Sequence, residues 1–151
     1  MSKYKLIQLT NTAIGQVGAN EFLPLGRITR KINSGCPDAA TFQITSSTAD
    51  TVIINEPGYY KITYTGSLAA GAADTFSLNL VTNGTVITTA SETAAAADDY
   101  VDISFIYVIR VCPNCCSAPA NYPLALQLQV GDVATSATAL STSNLIIEKI
   151  Y

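Results

Sequence analysis

The sequence predicts an all-β domain, a sandwich or jelly roll of eight to ten short antiparallel strands, and three observations carry that reading. Runs of alternating apolar and polar residues recur along the chain, as at Tyr60, Ile62 and Tyr64 against Lys61, Thr63 and Thr65. Turn signals punctuate these runs at intervals of roughly 8 to 12 residues. No segment requires a helix longer than a turn. With 151 residues the chain fits one domain, large enough to bury about two-thirds of the surface its unfolded form exposes.

Taken in order, residues 4–10 alternate weakly and read as a first strand or an arm. Residues 11–20 are turn-rich, with Gly15 and Gly18 inside them. Leu23, Leu25, Ile28 and Ile32 surround Pro24 and Gly26, which suggests an interrupted or edge strand. After a loop around Cys36 and Pro37, short strands are expected over 41–45 and 51–55. Pro57 and Gly58 then form a turn that feeds the long strand beginning at Tyr59. Residues 67–74 are small and are expected to be flexible.

Phe76, Leu78 and Leu80 share one face of a strand that meets Asn83-Gly84, the preferred dipeptide of a type I′ hairpin. Residues 90–99, including Ala94 to Ala97, read as a loop between strands too closely spaced for a packed helix. Residues 100–111 are the longest strand candidate, with Ile106 and Val108 on its second face. Apolar residues on both faces predict cover from both sides, the second cover being another subunit. Leu124, Leu126, Leu128 and Val130 mark a further strand, Gly131-Asp132 a turn, and residues 145–151 a closing strand tied into its sheet.

Composition narrows the function. Hydrophobic residues make up 48% and charged residues 13%, a low charge share that points to surface committed to contacts or to a larger assembly. The net charge of −3 argues against nucleic-acid binding through phosphate neutralisation. Arg27, Arg30 and Lys31 form the one small basic group, read either as a solvated strand face or as a patch for an acidic partner. No stretch reaches the ~18 apolar residues of a membrane span, and the N-terminus has no signal-peptide core, so synthesis in a cytoplasm without conventional export is expected.

The absence of histidine removes the commonest general base, the Ser-His and Cys-His nucleophile pairs and most catalytic zinc sites. Glu92, Asp98, Asp99 and Asp102 cluster around one loop, where they could hold calcium or act as an acid/base pair, although Asp at a strand entrance is ordinary turn chemistry. Cys112, Cys115 and Cys116, with Cys36 upstream, could be unpaired, could form a disulfide after release from the cell, or could complete a zinc site. No βαβ context supports a thioredoxin-like role. Tyr59 and Tyr151 are the better candidates for exposed aromatic contacts to a sugar or a partner. The expectation is a protein that is not an enzyme and needs no cofactor or metal.

Four motifs occur in a fixed order: Pro57-Gly58-Tyr59-Tyr60, the Thr82-Asn83-Gly84-Thr85-Val86 hairpin, Ile109-Arg110-Val111-Cys112 and Leu145-Ile146-Ile147-Glu148-Lys149-Ile150. In these the chain resembles the C1q and tumour-necrosis-factor (TNF) type jelly roll, and the small proteins of that type in bacteriophages and prophages of gut bacteria. The resemblance implies a jelly-roll domain over 21–151 and a homotrimer serving as a capsid decoration or head-fibre protein on the outer surface of a phage head. The segment 1–20 would be an arm or capsid anchor. Trimer contacts are then expected at Tyr64, Phe105 and Tyr107, because a three-fold interface favours buried aromatic residues. Arg27, Arg30 and Lys31 would face the major capsid protein. A glycan- or cell-surface-binding module, using outward loops and Tyr59, is the alternative.

Overall fold

The computed structural model describes residues 4–12, 15–32, 41–44, 49–69, 75–96, 99–113, 121–131 and 138–151. Among them are eleven strands: β1 (Lys5–Asn11), β2 (Gly15–Val17), β3 (Arg27–Ile32), β4 (Phe42–Ile44), β5 (Val52–Ile54), β6 (Gly58–Ala69), β7 (Thr75–Thr82), β8 (Thr85–Thr93), β9 (Tyr100–Val111), β10 (Leu124–Val130) and β11 (Thr138–Lys149). They form two antiparallel sheets. One has the order β3-β1-β11-β6-β9, with β2 paired onto β11, and the other β4-β5-β10-β7-β8.

The alternation seen in the sequence becomes the packing between these sheets. Ile62 and Tyr64 of β6, Ile7 and Leu9 of β1 and Leu145 and Ile147 of β11 point inward from the first sheet. Leu78 and Leu80 of β7 and Leu124, Leu126 and Leu128 of β10 meet them from the second. Each such side chain contributes about 1.5–3 kcal/mol relative to leaving it in water. Phe42 and Tyr60 join the sheets edge-to-face, their ring centroids 5.9 Å apart.

The Asn83-Gly84 hairpin forms as expected between β7 and β8, with φ of 49° and 81° at its two central residues, the left-handed values a type I′ turn needs. Strand β6 runs further than expected, through Ala69, and β11 begins at Thr138, well before Leu145. Within β6, Gly66 makes room for Tyr64: a Cβ there would collide with the Tyr64 hydroxyl, so a side chain would displace the buried ring from its site.

The separation of residues 1–20 from the domain is corrected by the structure. Strand β1 sits inside the first sheet, paired with β11 on one side and β3 on the other. Its weak alternation conceals that Ile7 and Leu9 are wholly buried. The segment between β2 and β3 is also integral. The Leu23 amide donates to the Leu128 carbonyl and the Val130 amide to Glu21, which lays this segment along β10 and buries Leu23 and Leu25.

Candidate assembly surface

The outward face of the first sheet is built in rows by strand pairing. Gln8, Ile146, Thr63 and Ile106 lie side by side across β1, β11, β6 and β9. The neighbouring row on the same face is Leu6, Glu148, Lys61 and Val108. Three polar members of the two rows are paired: Lys61 meets Glu148 at 3.0 Å, Gln8 donates to Asn144 at 2.9 Å, and the Tyr4 hydroxyl donates to Glu148 at 3.1 Å. The apolar members on β9 have no such cover. Ile106 is 68% exposed and Val108 50%, on the edge strand of the sheet.

The opposite face of β9 is incompletely covered as well. Phe105, Tyr107 and Ile109 face inward yet remain partly exposed, because β9 ends its sheet and packs against the core along one side. Two of the three residues expected at a subunit contact, Phe105 and Tyr107, therefore lie on this edge. Tyr64 does not. It is 0% exposed, stacked on Phe105 at 5.6 Å within its own protomer, and burial raises its phenol pKa while Ser143 opposes the shift. Inward alternation on a central strand places it in the core, beyond the reach of a partner.

A hollow of about 380 Å³ lies beside these rows, lined by residues that include Thr10, Thr65, Asp102, Ser104 and Asn144. Asp99 and Glu92 do not join Asp102 in a metal-binding set: among the described residues no group of three or more Asp, Glu, Cys or His could hold an ion. Asp98 lies outside the described residues. Cys112 is disulfide-bonded, which removes its thiolate as a zinc ligand, and Cys36, Cys115 and Cys116 lie outside the described residues.

At one end of the sheet is an ionic hub that sequence reasoning missed. Glu56, in the turn before β6, accepts hydrogen bonds from Lys149 at 2.6 Å, from Lys5, and from the Thr41 hydroxyl at 2.8 Å. Burial opposes ionisation of this carboxylate, yet the bonds from Lys149, Lys5 and Thr41 outweigh it and hold the pKa at about 2. The Tyr60 hydroxyl donates to the Glu56 carbonyl at 2.8 Å, and burial pushes its own pKa upward. One carboxylate thus ties together β1, the residue preceding β4, and β11. Nothing in the local sequence marks Glu56, since its partners are 51 and 93 residues away.

Beside the hub, Tyr59 packs edge-on against Tyr151 with centroids 6.2 Å apart, and the Arg110 guanidinium stands 5.7 Å from the Tyr59 ring centroid. Tyr59 and Tyr151 are both exposed, Tyr151 at 87%. Arg27, Arg30 and Lys31 are likewise exposed, all on β3 at the opposite edge of the sheet from β9.

The Eiger TNF of S. frugiperda superposes with a TM-score of 0.69 at 10% identity, over 98% of this chain and 92% of that one. The globular domain of the zebrafish complement 1qA protein gives 0.64 at 10% identity, over 97% and 98% of the two chains. Murine APRIL at pH 5.0 gives 0.64 at 9% identity, over 98% and 100%. The fold is the C1q/TNF-type jelly roll. No family model and no curated protein matches the sequence. Likeness at this identity extends to the fold and not to partners, so function has to be argued from the surfaces themselves.

Proposed function

We propose that the chain is a non-catalytic assembly module that forms a homotrimer through the outward face of the first sheet and its β9 edge. The observation that carries this reading is the exposure of Ile106, in register with the half-buried Ile146, and of Val108 in the neighbouring row, on a strand whose inward aromatics are also incompletely covered. Such a strip is costly to leave in water and suits the centre of a subunit contact. The C1q/TNF-type resemblance implies the same symmetry.

The resemblance to phage jelly-roll proteins supports a finer version, in which the trimer decorates the outside of a phage head after synthesis in the bacterial cytoplasm. The basic edge Arg27, Arg30 and Lys31 would then face the major capsid protein. Because β1 is paired into the sheet, this reading gives the attachment to that edge and not to a free N-terminal arm. Native mass spectrometry tests the trimer, and cosedimentation with capsids lacking the protein tests the attachment; capsids that pellet without it would remove the decoration role.

A second reading is favoured by one observation, the exposed Tyr151 ring beside Tyr59 and Arg110. Aromatic faces stack on sugars, and the guanidinium could pair with an acidic group. A glycan array probed with the wild type and Tyr151→Ala checks it; equal signals for the two proteins would discard this site.

A further inference from the structure

Strand β3 has two properties that the trimer does not use. It pairs with β1 along one side and ends the sheet, so among the described residues no strand meets its other side. Antiparallel geometry then leaves alternate N–H and C=O groups directed outward, as a template for another extended chain. Its side chains are also charged and accessible: Arg27, Arg30 and Lys31 are exposed, and only Ile32 of the six residues is half-buried.

Among the described residues this charge has no ion-pair partner. The ion pairs among the described residues engage Lys5, Lys61 and Lys149, and none engages the three cations of β3. The chain carries 8 Lys and Arg in all and a net charge of −3, so three cations on one six-residue edge are a local concentration against the overall sign.

We propose that β3 is a docking edge that accepts an extended acidic segment of a partner protein as an added strand. This deepens the reading of the basic edge given above by naming the chemistry of its partner. Main-chain pairing would supply affinity, and Asp or Glu side chains alternating along the added strand would supply selection against Arg27 and Arg30, which share the outward face opposite Thr10 and Gln8. An extended polypeptide fits better than a phosphate polymer, because the outward carbonyls of β3 need donors that a phosphate backbone lacks. Charged residues on an edge ordinarily keep strands apart. Here they do so selectively, repelling a second copy of β3 and admitting an anionic strand.

The test uses the full chain and three synthetic peptides: acetyl-(Glu-Val)3-amide, its lysine counterpart, and the glutamate peptide with alternate backbone nitrogens methylated. Titration calorimetry and amide hydrogen exchange are read together. The glutamate peptide is expected to bind and to protect β3 amides. The lysine and N-methylated peptides should bind about tenfold more weakly or worse, a difference of about 1.4 kcal/mol. The triple variant Arg27→Glu, Arg30→Glu, Lys31→Glu should reverse the preference toward the lysine peptide while keeping the oligomeric mass of the wild type. Absence of binding, equal binding of the N-methylated peptide, or protection at β8 or β9 in place of β3 would overturn the proposal. Retained oligomeric mass in the triple variant separates its failure from failure of the trimer.

Discussion

Strands β6 and β9 are neighbours of equal length, twelve residues each, paired from Gly58 opposite Val111 to Ala69 opposite Tyr100. Both alternate, and both read from sequence as two-faced strands. Their environments differ. On β6 the inward Tyr60, Ile62 and Tyr64 are fully buried and the outward Lys61, Thr63 and Thr65 between and beyond them are polar. On β9 the inward Phe105, Tyr107 and Ile109 remain partly exposed and the outward Ile106 and Val108 are apolar and open to solvent. Alternation decides which side chains share a face, whereas position in the sheet decides whether that face is covered. Strand β6 lies between β11 and β9; among the described residues β9 has a strand on one side. One protomer accounts for the sequence of β6 and leaves that of β9 unexplained.

The largest expected effect probes what keeps β6 central. Deleting residues 2–20 removes β1, and with it the buried Ile7 and Leu9 and the pairing partner of β11. The product should show no cooperative unfolding transition by circular dichroism; a folded product would mean that β1 is dispensable. Next, Ile62→Ala on β6 should cost about 2–5 kcal/mol in denaturant unfolding. Ile106→Ala on β9 should cost the isolated protomer under about 1 kcal/mol and act on assembly instead. Equal losses measured under monomeric conditions would erase the contrast between the strands.

Among the described residues the hub at the foot of β6 has no counterpart on β9. Glu56→Gln should cost about 2 kcal/mol, because the largely buried Lys5 loses its charged partner. The pH dependence has a definite sign. The folded carboxyl titrates near 2, below its ordinary value of 4.5, so its stabilisation is complete above about 4.5 and is lost as the pH falls toward 2. The variant should lack that part of the acid slope; an unchanged slope would place the proton uptake elsewhere. The smallest effect is expected of Lys61→Ala, which breaks the exposed pair with Glu148 and should change unfolding by no more than about 0.5 kcal/mol.

The sequence was most legible where local chemistry acts alone. Asn83-Gly84 specified its hairpin, and the leucines of β10 specified their face, because turn dihedrals and strand period are local properties. The inward direction of Tyr64 was legible too, but its separation from Phe105 in burial was not, since neither residue encodes which strand becomes the sheet edge. Residues 4–10 read equally as a strand or an arm, because Lys5, Gln8 and Thr10 dilute the pattern of β1. The convergence of Lys5, Thr41 and Lys149 on Glu56 is a product of topology that no local motif carries.

The trimer is the central claim, and native mass spectrometry of the wild type beside Ile106→Asp/Val108→Asp tests it most directly. The account predicts a wild-type mass of three times 15.9 kDa and a folded monomer for the double variant. A monomeric wild type, or a double variant that remains trimeric, would contradict it.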